Sequence, residues 1–129
     1  MASQQKMLAP AKIIAFVSTQ MPAEAKVFYR DALGLRLLSE DAFALVFDAG
    51  GVMLRVSIVP QLSVAPYTVL GWQVEDIVTS AIALGNAGVK CERYPGMDQD
   101  SLGIWNAPGG AKVAWFKDPD GNTLSLTQF

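Results

Sequence analysis

Few residue types in this chain are able to carry out chemistry, because it contains no histidine and one cysteine, Cys91. Zinc, copper and non-haem iron sites are usually built from imidazole and thiolate ligands. Ser-His-Asp and Cys-His catalysis also need an imidazole. The sequence therefore excludes these sites and mechanisms within the chain, and any general acid or base must be a carboxylate, lysine, tyrosine or water.

One acidic segment, DPDGN at residues 118–122, resembles the opening of a calcium-binding loop. Position 12 of such a loop would be Phe129, however, where a glutamate is required. Pro119 also suits an ordinary β-turn. We therefore predict a tight turn, followed by a strand in which three polar residues share one face: Thr123, Ser125 and Thr127.

Length and composition indicate one globular domain spanning residues 1–129. Hydrophobic residues make up 51% of the chain and charged residues 17%, which argues against disorder. Ten basic and twelve acidic residues give a net charge of −2 without a basic cluster, so neither nucleic acid nor a membrane surface is an expected partner. The first twelve residues lack the apolar core of a signal peptide. These features favour a cytoplasmic protein, with Cys91 as a half-buried structural thiol in a strand.

The first half of the chain predicts a strand, a helix and three strands. The helix, at 22–33, has Pro22 in its first turn and stops at Gly34. Gly50 and Gly51 indicate a hairpin between the last two strands. The predicted strands cover residues 12–18, 35–39, 43–48 and 52–59.

The second half repeats this pattern after a proline-containing connector at 60–68. Asp76 can cap a helix that runs to residue 87. Residues 94–103 form a loop. The predicted strands cover residues 69–74, 89–93, 104–106, 112–117 and 123–128. Residues 33–36 match 87–90, and residues 47–56 match 116–126. The sequence therefore predicts an α+β fold made of two βαβββ modules, 11–59 and 69–129.

Four segments carry a resemblance to a known family: FYRDALGL at 28–35, GWQVEDI at 71–77, LGNAG at 84–88 and FKDPDGN at 116–122. With these segments the chain resembles the vicinal oxygen chelate superfamily, which includes glyoxalase I, bleomycin-resistance proteins and extradiol dioxygenases. The resemblance implies that the modules form a pair of curved, mostly antiparallel sheets around an open cavity. It also implies a homodimer.

The metal-using members of that superfamily hold their metal through two residues per module, one on the first strand and one on the last. Carried onto this chain, the last-strand positions are Arg55 and Ser125, and the first-strand positions are Lys12 and Val69, within one or two residues of register. None of these is a competent ligand, and Arg55 is itself a permanent cation. The resemblance therefore implies a member that uses no metal and no other cofactor.

Strand alternation gives the cavity a mixed apolar and polar lining, as small-molecule sites usually have. We predict the ligand-binding residues Arg55, Ser125, Gln73, Met53, Trp105 and Tyr67. Arg55 would hold a carboxylate, phosphate or phenolate through two bonds, unless it pairs with a nearby acidic residue. Loop 94–103 would cover the cavity mouth, with Tyr94, Asp98 and Asp100 facing a basic ligand.

Three functions remain open from the sequence. The first is a metal-independent protein of the bleomycin-resistance type that binds a small molecule without chemistry. The second is a metal-free isomerase or lyase, although no acid and base pair stands out and no catalytic residue is assigned. The third is a structural or regulatory dimer whose cavity is filled by side chains.

Overall fold

The computed structural model describes residues 6–129 as two sheets of four strands with a helix in each half. The first half contains β1 (Ile14–Thr19), α1 (Pro22–Val27), a π-helical turn (Phe28–Ala32), β2 (Arg36–Glu40), β3 (Ala44–Ala49) and β4 (Val52–Ile58). The second contains β5 (Thr68–Gln73), α2 (Ile77–Asn86), β6 (Trp105–Asn106), β7 (Lys112–Lys117) and β8 (Thr123–Gln128).

Both sheets have the same topology. Their strand orders are β1-β4-β3-β2 and β5-β8-β7-β6. In each sheet the first strand of the module runs parallel to the last strand, and the other pairs are antiparallel. The predicted α+β fold of two repeated modules is confirmed.

The helix predicted at 22–33 consists of two different segments. It is α-helical through Val27 and continues as the π-helical turn, in which the Leu33 amide donates to the Phe28 carbonyl at 3.0 Å. The Leu35 amide then donates to the Tyr29 carbonyl at 3.0 Å. Helical periodicity in the sequence does not distinguish a π-helical turn from an α-helical one, because the π-helical turn contains only one additional residue. The turn carries Tyr29, whose side chain is fully buried.

One hydrophobic core joins the two modules. Leu54 and Phe47 point into it from the first sheet, and Leu124 and Phe116 point into it from the second. The π-helical turn contacts both sheets, because the Tyr29 ring lies 5.9 Å from the Phe47 ring and the neighbouring Phe28 ring lies 6.4 Å from Phe116. Each sheet therefore packs one face against the helices and leaves its opposite face, which we call the inner face, for another role.

The strand predicted at 89–93 is wrong. This segment forms no ladder, and its contact with β7 is a hydrogen bond from the Glu92 amide to the Trp115 carbonyl at 2.7 Å. Within it, Arg93 is turned towards the following loop and donates to the Asp100 carbonyl at 2.6 Å. β6, which comes after that loop, pairs with β7 instead. Apolar alternation alone could not show that the loop would displace the earlier segment from the sheet edge.

Cys91 is half-buried as predicted, but it lies in no strand. Burial raises the pKa of its thiol, which favours an unreactive structural role. In the described part of the chain, no helix is long and apolar enough to cross a membrane.

Candidate functional site

The inner face of the first sheet has Arg55 at its centre. Arg55 on β4 lies between Phe16 on β1 and Val46 on β3. The next row contains Met53, which lies beside Ile14 on β1. Phe16 is 59% exposed, Ile14 45% and Met53 39%, so this inner face presents an apolar surface around one cation.

Arg55 is half-buried and makes no salt bridge with any described residue. Asp41, in the loop after β2, is close enough for the charge of Arg55 to affect its pKa. Hydrogen bonds from the Phe43 and Ala44 amides, at 2.8 and 3.0 Å, lower the pKa of Asp41, and the charge of Arg55 contributes less. Both hydrogen bonds go to one oxygen, Asp41 Oδ1, and no salt bridge joins Asp41 to Arg55. The guanidinium therefore keeps donors for another acceptor.

The inner face of the second sheet has Ser125 at the corresponding place. Ser125 on β8 lies between Gly71 on β5 and Trp115 on β7. A Cβ atom at position 71 would lie 2.7 Å from the Ser125 Oγ. Glycine at 71 therefore leaves the space into which the serine hydroxyl turns. Ser125 is only 7% exposed, so it is less accessible than Arg55.

The strand register shows which first-strand residues lie beside Arg55 and Ser125. β1 begins at Ile14, so the predicted start of that strand at Lys12 is wrong by two residues, and Lys12 is exposed before it. The residue beside Arg55 is Phe16, and the residue beside Ser125 is Gly71, two positions after Val69.

These side chains do not fit a divalent metal. The side chains of Phe16 and Val69 and the glycine at 71 supply no ligand atoms. The Arg55 guanidinium and the Lys12 ammonium are cations, and the single hydroxyl of Ser125 is a weak ligand. Across residues 6–129, no group of three or more cysteine, aspartate or glutamate side chains could hold a metal ion.

An aromatic cluster covers part of the second inner face. The Trp115 ring lies 6.0 Å from that of Trp105 and 5.5 Å from that of Tyr94, the latter edge-on. Beside it is a cleft of about 540 Å³, which we call the aromatic cleft. Its lining residues are Pro66, Tyr67, Thr68, Tyr94, Met97, Trp115, Lys117 and Thr123.

The aromatic cleft contains one predicted ligand-binding residue, Tyr67, which is 67% exposed. Trp105 does not line the cleft, but its ring packs against that of Trp115. Trp115 and Lys117 were not among the predicted ligand-binding residues, although their alternation with the buried residues Ala114 and Phe116 places them on the inner face.

Gln73 has a different location. It lines an apolar cleft of about 270 Å³ on the helix side of the second sheet, together with Trp72, Leu33 and Leu84. Arg55, Met53 and Ser125 line none of the clefts described in residues 6–129. The structure thus divides the six predicted residues among two inner faces and a helix-side cleft.

Loop 94–103 is fixed by hydrogen bonds within itself. The Gln99 side chain accepts from the Tyr94 amide at 2.8 Å and donates to the Glu92 and Gly103 carbonyls at 2.9 and 2.8 Å. The Asp100 carboxylate accepts from the Leu102 and Ile104 amides, both at 2.9 Å. Asp100 is therefore already bonded within the loop, whereas Asp98 is exposed.

The acidic turn at 118–122 joins the two modules. The buried Asp118 carboxylate accepts from the Tyr29 hydroxyl and from the Asn122 side-chain amide, each at 2.8 Å. It also accepts from the Asp120 and Asn122 backbone amides at 3.0 and 2.9 Å. Asp120 accepts from the Thr19 hydroxyl at the end of β1. The turn predicted from the sequence therefore holds the first module against the second.

Comparison with known proteins gives a consistent result. The model of the Glyoxalase/Bleomycin resistance protein/Dioxygenase superfamily matches residues 13–126. A search of curated proteins found no match.

Several solved structures share the fold. Lactoylglutathione lyase from Agrobacterium tumefaciens is 16% identical with a TM-score of 0.72, over 93% of this chain and 95% of that one. A glyoxalase family protein from Enterococcus faecalis is 24% identical with a TM-score of 0.64, over 90% and 94%. The fosfomycin resistance protein FosX from Listeria monocytogenes is 11% identical with a TM-score of 0.69, over 91% of each chain. From its modules, its strand order and the family match, the chain belongs to the Glyoxalase/Bleomycin resistance protein/Dioxygenase superfamily.

Proposed function

We propose that this chain is a metal-independent small-molecule-binding protein that works as a homodimer. The observation that carries the proposal is the pair of cross-strand neighbours on each inner face, Phe16 with Arg55 and Gly71 with Ser125. At the last-strand positions where the family resemblance implies metal ligands, this chain has a cation, Arg55, and a shielded hydroxyl, Ser125, and the residues beside them, Phe16 and Gly71, offer no ligand atoms. These groups suit recognition of an organic molecule rather than Lewis-acid chemistry. A cytoplasmic location stays a prediction from the sequence.

Arg55 is the main polar recognition group in this proposal. Its guanidinium is flanked by Phe16 and Val46, so a bound molecule would contact apolar side chains while its acidic group accepts hydrogen bonds from Arg55. Charge-assisted, two-point bonds of this kind are stronger than neutral ones. The proposal therefore favours ligands that carry a carboxylate, phosphate or phenolate.

Replacing Arg55 with alanine is expected to abolish the thermal stabilisation given by acidic ligands. A screen of acidic, neutral and cationic small molecules by thermal shift would identify the stabilising compounds. Loss of a charged hydrogen bond of about 1.5–3 kcal/mol corresponds to a loss of affinity of roughly tenfold or more. Arg36→Ala is the matched control, because Arg36 is an exposed arginine on β2. An unchanged shift in Arg55→Ala would remove Arg55 from the site.

Metal content provides a separate test of the same proposal. Ligand-induced stabilisation should persist after treatment with a chelator. Stoichiometric zinc, nickel or iron in the purified protein, together with loss of ligand binding on chelation, would contradict metal independence.

The homodimer is supported by the uncovered first sheet. The inner-face side chains Ile14, Phe16 and Met53 are exposed, and an exposed apolar patch favours association. The edge strands β1 and β5 contact each other within the chain. A second copy of the chain would therefore cover the inner faces rather than these edges.

Substitution of both Ile14 and Phe16 by threonine is expected to weaken dimerisation by at least about tenfold, since large apolar side chains dominate interface energies. Threonine keeps the β-propensity of β1. Analytical ultracentrifugation would measure the dissociation constant. Phe43→Thr, which removes an aromatic ring of 76% exposure outside the strands, is the control. An unchanged dimer in the double variant would exclude this face as the interface.

A further inference from the structure

We propose that the aromatic cleft binds a planar aromatic molecule that bears an anionic oxygen group. This inference rests on the proposed function, because it names a ligand class and a place for it on the second module. It concerns residues that the Arg55 proposal does not use.

The shape and lining of the cleft suit a flat ring. Its volume of about 540 Å³ is within the usual range for small-molecule sites, roughly 300–1,000 Å³. Trp115 lines the cleft, and Trp105 and Tyr94 pack against its ring and fix its orientation. A ligand ring stacked on Trp115 would therefore meet an aromatic surface that is already ordered, so little side-chain freedom is lost on binding.

The polar atoms of the cleft are mostly donors. Lys117 is the one charged residue in its lining, and no carboxylate lines it. The hydroxyls of Tyr67, Tyr94, Thr68 and Thr123 donate to no acceptor in the described part of the chain. Burial, and to a lesser degree the charge of Glu92, raise the pKa of Tyr94. Its hydroxyl therefore stays protonated and available to donate.

The ammonium group of Lys117 favours a negatively charged ligand in the aromatic cleft. Lys117 also lines the neighbouring cleft, which contains Glu92 and the buried Asp118, but it makes no salt bridge with any residue in 6–129. Its ammonium group donates only. An anion in the aromatic cleft would gain this contact, whereas a cation stacked on Trp115 would face a like charge at the same site.

Three compounds with one ring system test the proposal: 2-naphthoate, 2-naphthamide and 2-naphthylmethylammonium. Isothermal titration calorimetry on the full-length protein should show 2-naphthoate binding at least about fivefold more tightly than the amide, and the ammonium compound most weakly. Lys117→Met should bring the affinity for 2-naphthoate to that for the amide. Lys90→Met is the matched control, because Lys90 is exposed and lines the neighbouring cleft without lining this one.

The indole N–H resonances of the three tryptophans show where the ligand binds. 2-Naphthoate should shift the resonances of Trp115 and Trp105 but not that of Trp72, which stacks on Phe116 and lines the helix-side cleft instead. Equal affinity for all three compounds, or anion binding that persists in Lys117→Met, would overturn this inference. If 2-naphthoate fails to bind while acidic ligands still stabilise the protein through Arg55, the inference fails and the proposed function stands. If Arg55→Ala changes nothing and 2-naphthoate binds as described, the inference stands, and only the role that the proposed function gives to Arg55 fails.

Discussion

Replacing Asp118 with alanine is expected to lower the free energy of unfolding by about 3 kcal/mol, because the change leaves several buried donors without an acceptor. The carboxylate is 6% exposed and accepts four hydrogen bonds. The Tyr29 hydroxyl, deep in the core, would lose its partner. Urea denaturation followed by circular dichroism measures the change directly.

A double-mutant cycle separates the contact between modules from the turn itself. Tyr29→Phe removes one hydroxyl and is expected to cost about 1–2 kcal/mol. Combined with Asp118→Ala, it should cost less than the sum of the two, since the second change removes a group already unpaired. Asp98→Ala, at an exposed loop position, should stay within about 0.5 kcal/mol of the wild type. Additive costs for Tyr29→Phe and Asp118→Ala would mean that the Tyr29–Asp118 bond does not couple the modules.

The Tyr29–Asp118 contact also shows how far the sequence could predict the fold. The segments 28–35 and 116–122 each predicted local structure, a helix with its stop and a hairpin turn, and both are present. Their direct hydrogen bond joins residues 89 positions apart. Local periodicity contains no information about such a pairing. The sequence therefore predicted two separate local structures, and only the structure shows that a hydrogen bond joins them.

The candidate site was less predictable than the fold, for two physical reasons. Strand alternation correctly placed Arg55 and Ser125 on corresponding inner faces, because the side-chain period of a strand is fixed. Accessibility does not follow from that period: Ser125 is shielded beside Gly71 and Trp115, while Arg55 keeps open donors. The first-strand register was uncertain because β1 begins at Ile14, two residues after the predicted start at Lys12.

Loop 94–103 shows the second reason. It was predicted to cover the cavity mouth with acidic groups that face a ligand, but a loop of this length can also satisfy its own backbone. Gln99 and Asp100 do so. The resulting fixed loop carries Tyr94 and Met97 to the edge of the aromatic cleft. The side chains that shape the cleft depend on this loop conformation, which propensities do not determine.

Replacing Gly103 with alanine is expected to destabilise the protein by about 3 kcal/mol, as the sum of backbone strain and overpacking. Gly103 is buried and has a φ of +89°, a conformation that side chains disfavour. An added Cβ would also lie 2.8 Å from the Cys91 Cβ. That atom cannot move aside by a rotamer change, so the backbone of the loop or of the segment before it must shift.

Gly96→Ala measures the cost of the backbone strain without the steric clash that an added Cβ makes at Gly103. Gly96 is in the same loop with a φ of +82°, but an added Cβ there would meet no atom within 4 Å. Its replacement should therefore cost only about 1 kcal/mol. Since the Gly103 amide donates to the Asp100 carbonyl and its own carbonyl accepts from Gln99, Gly103→Ala should also weaken 2-naphthoate binding, whereas Gly96→Ala should weaken it less. The free energies of unfolding would be measured by urea denaturation. An equal loss in the two variants would show that the close approach of Gly103 to Cys91 adds nothing to the cost of the substitution.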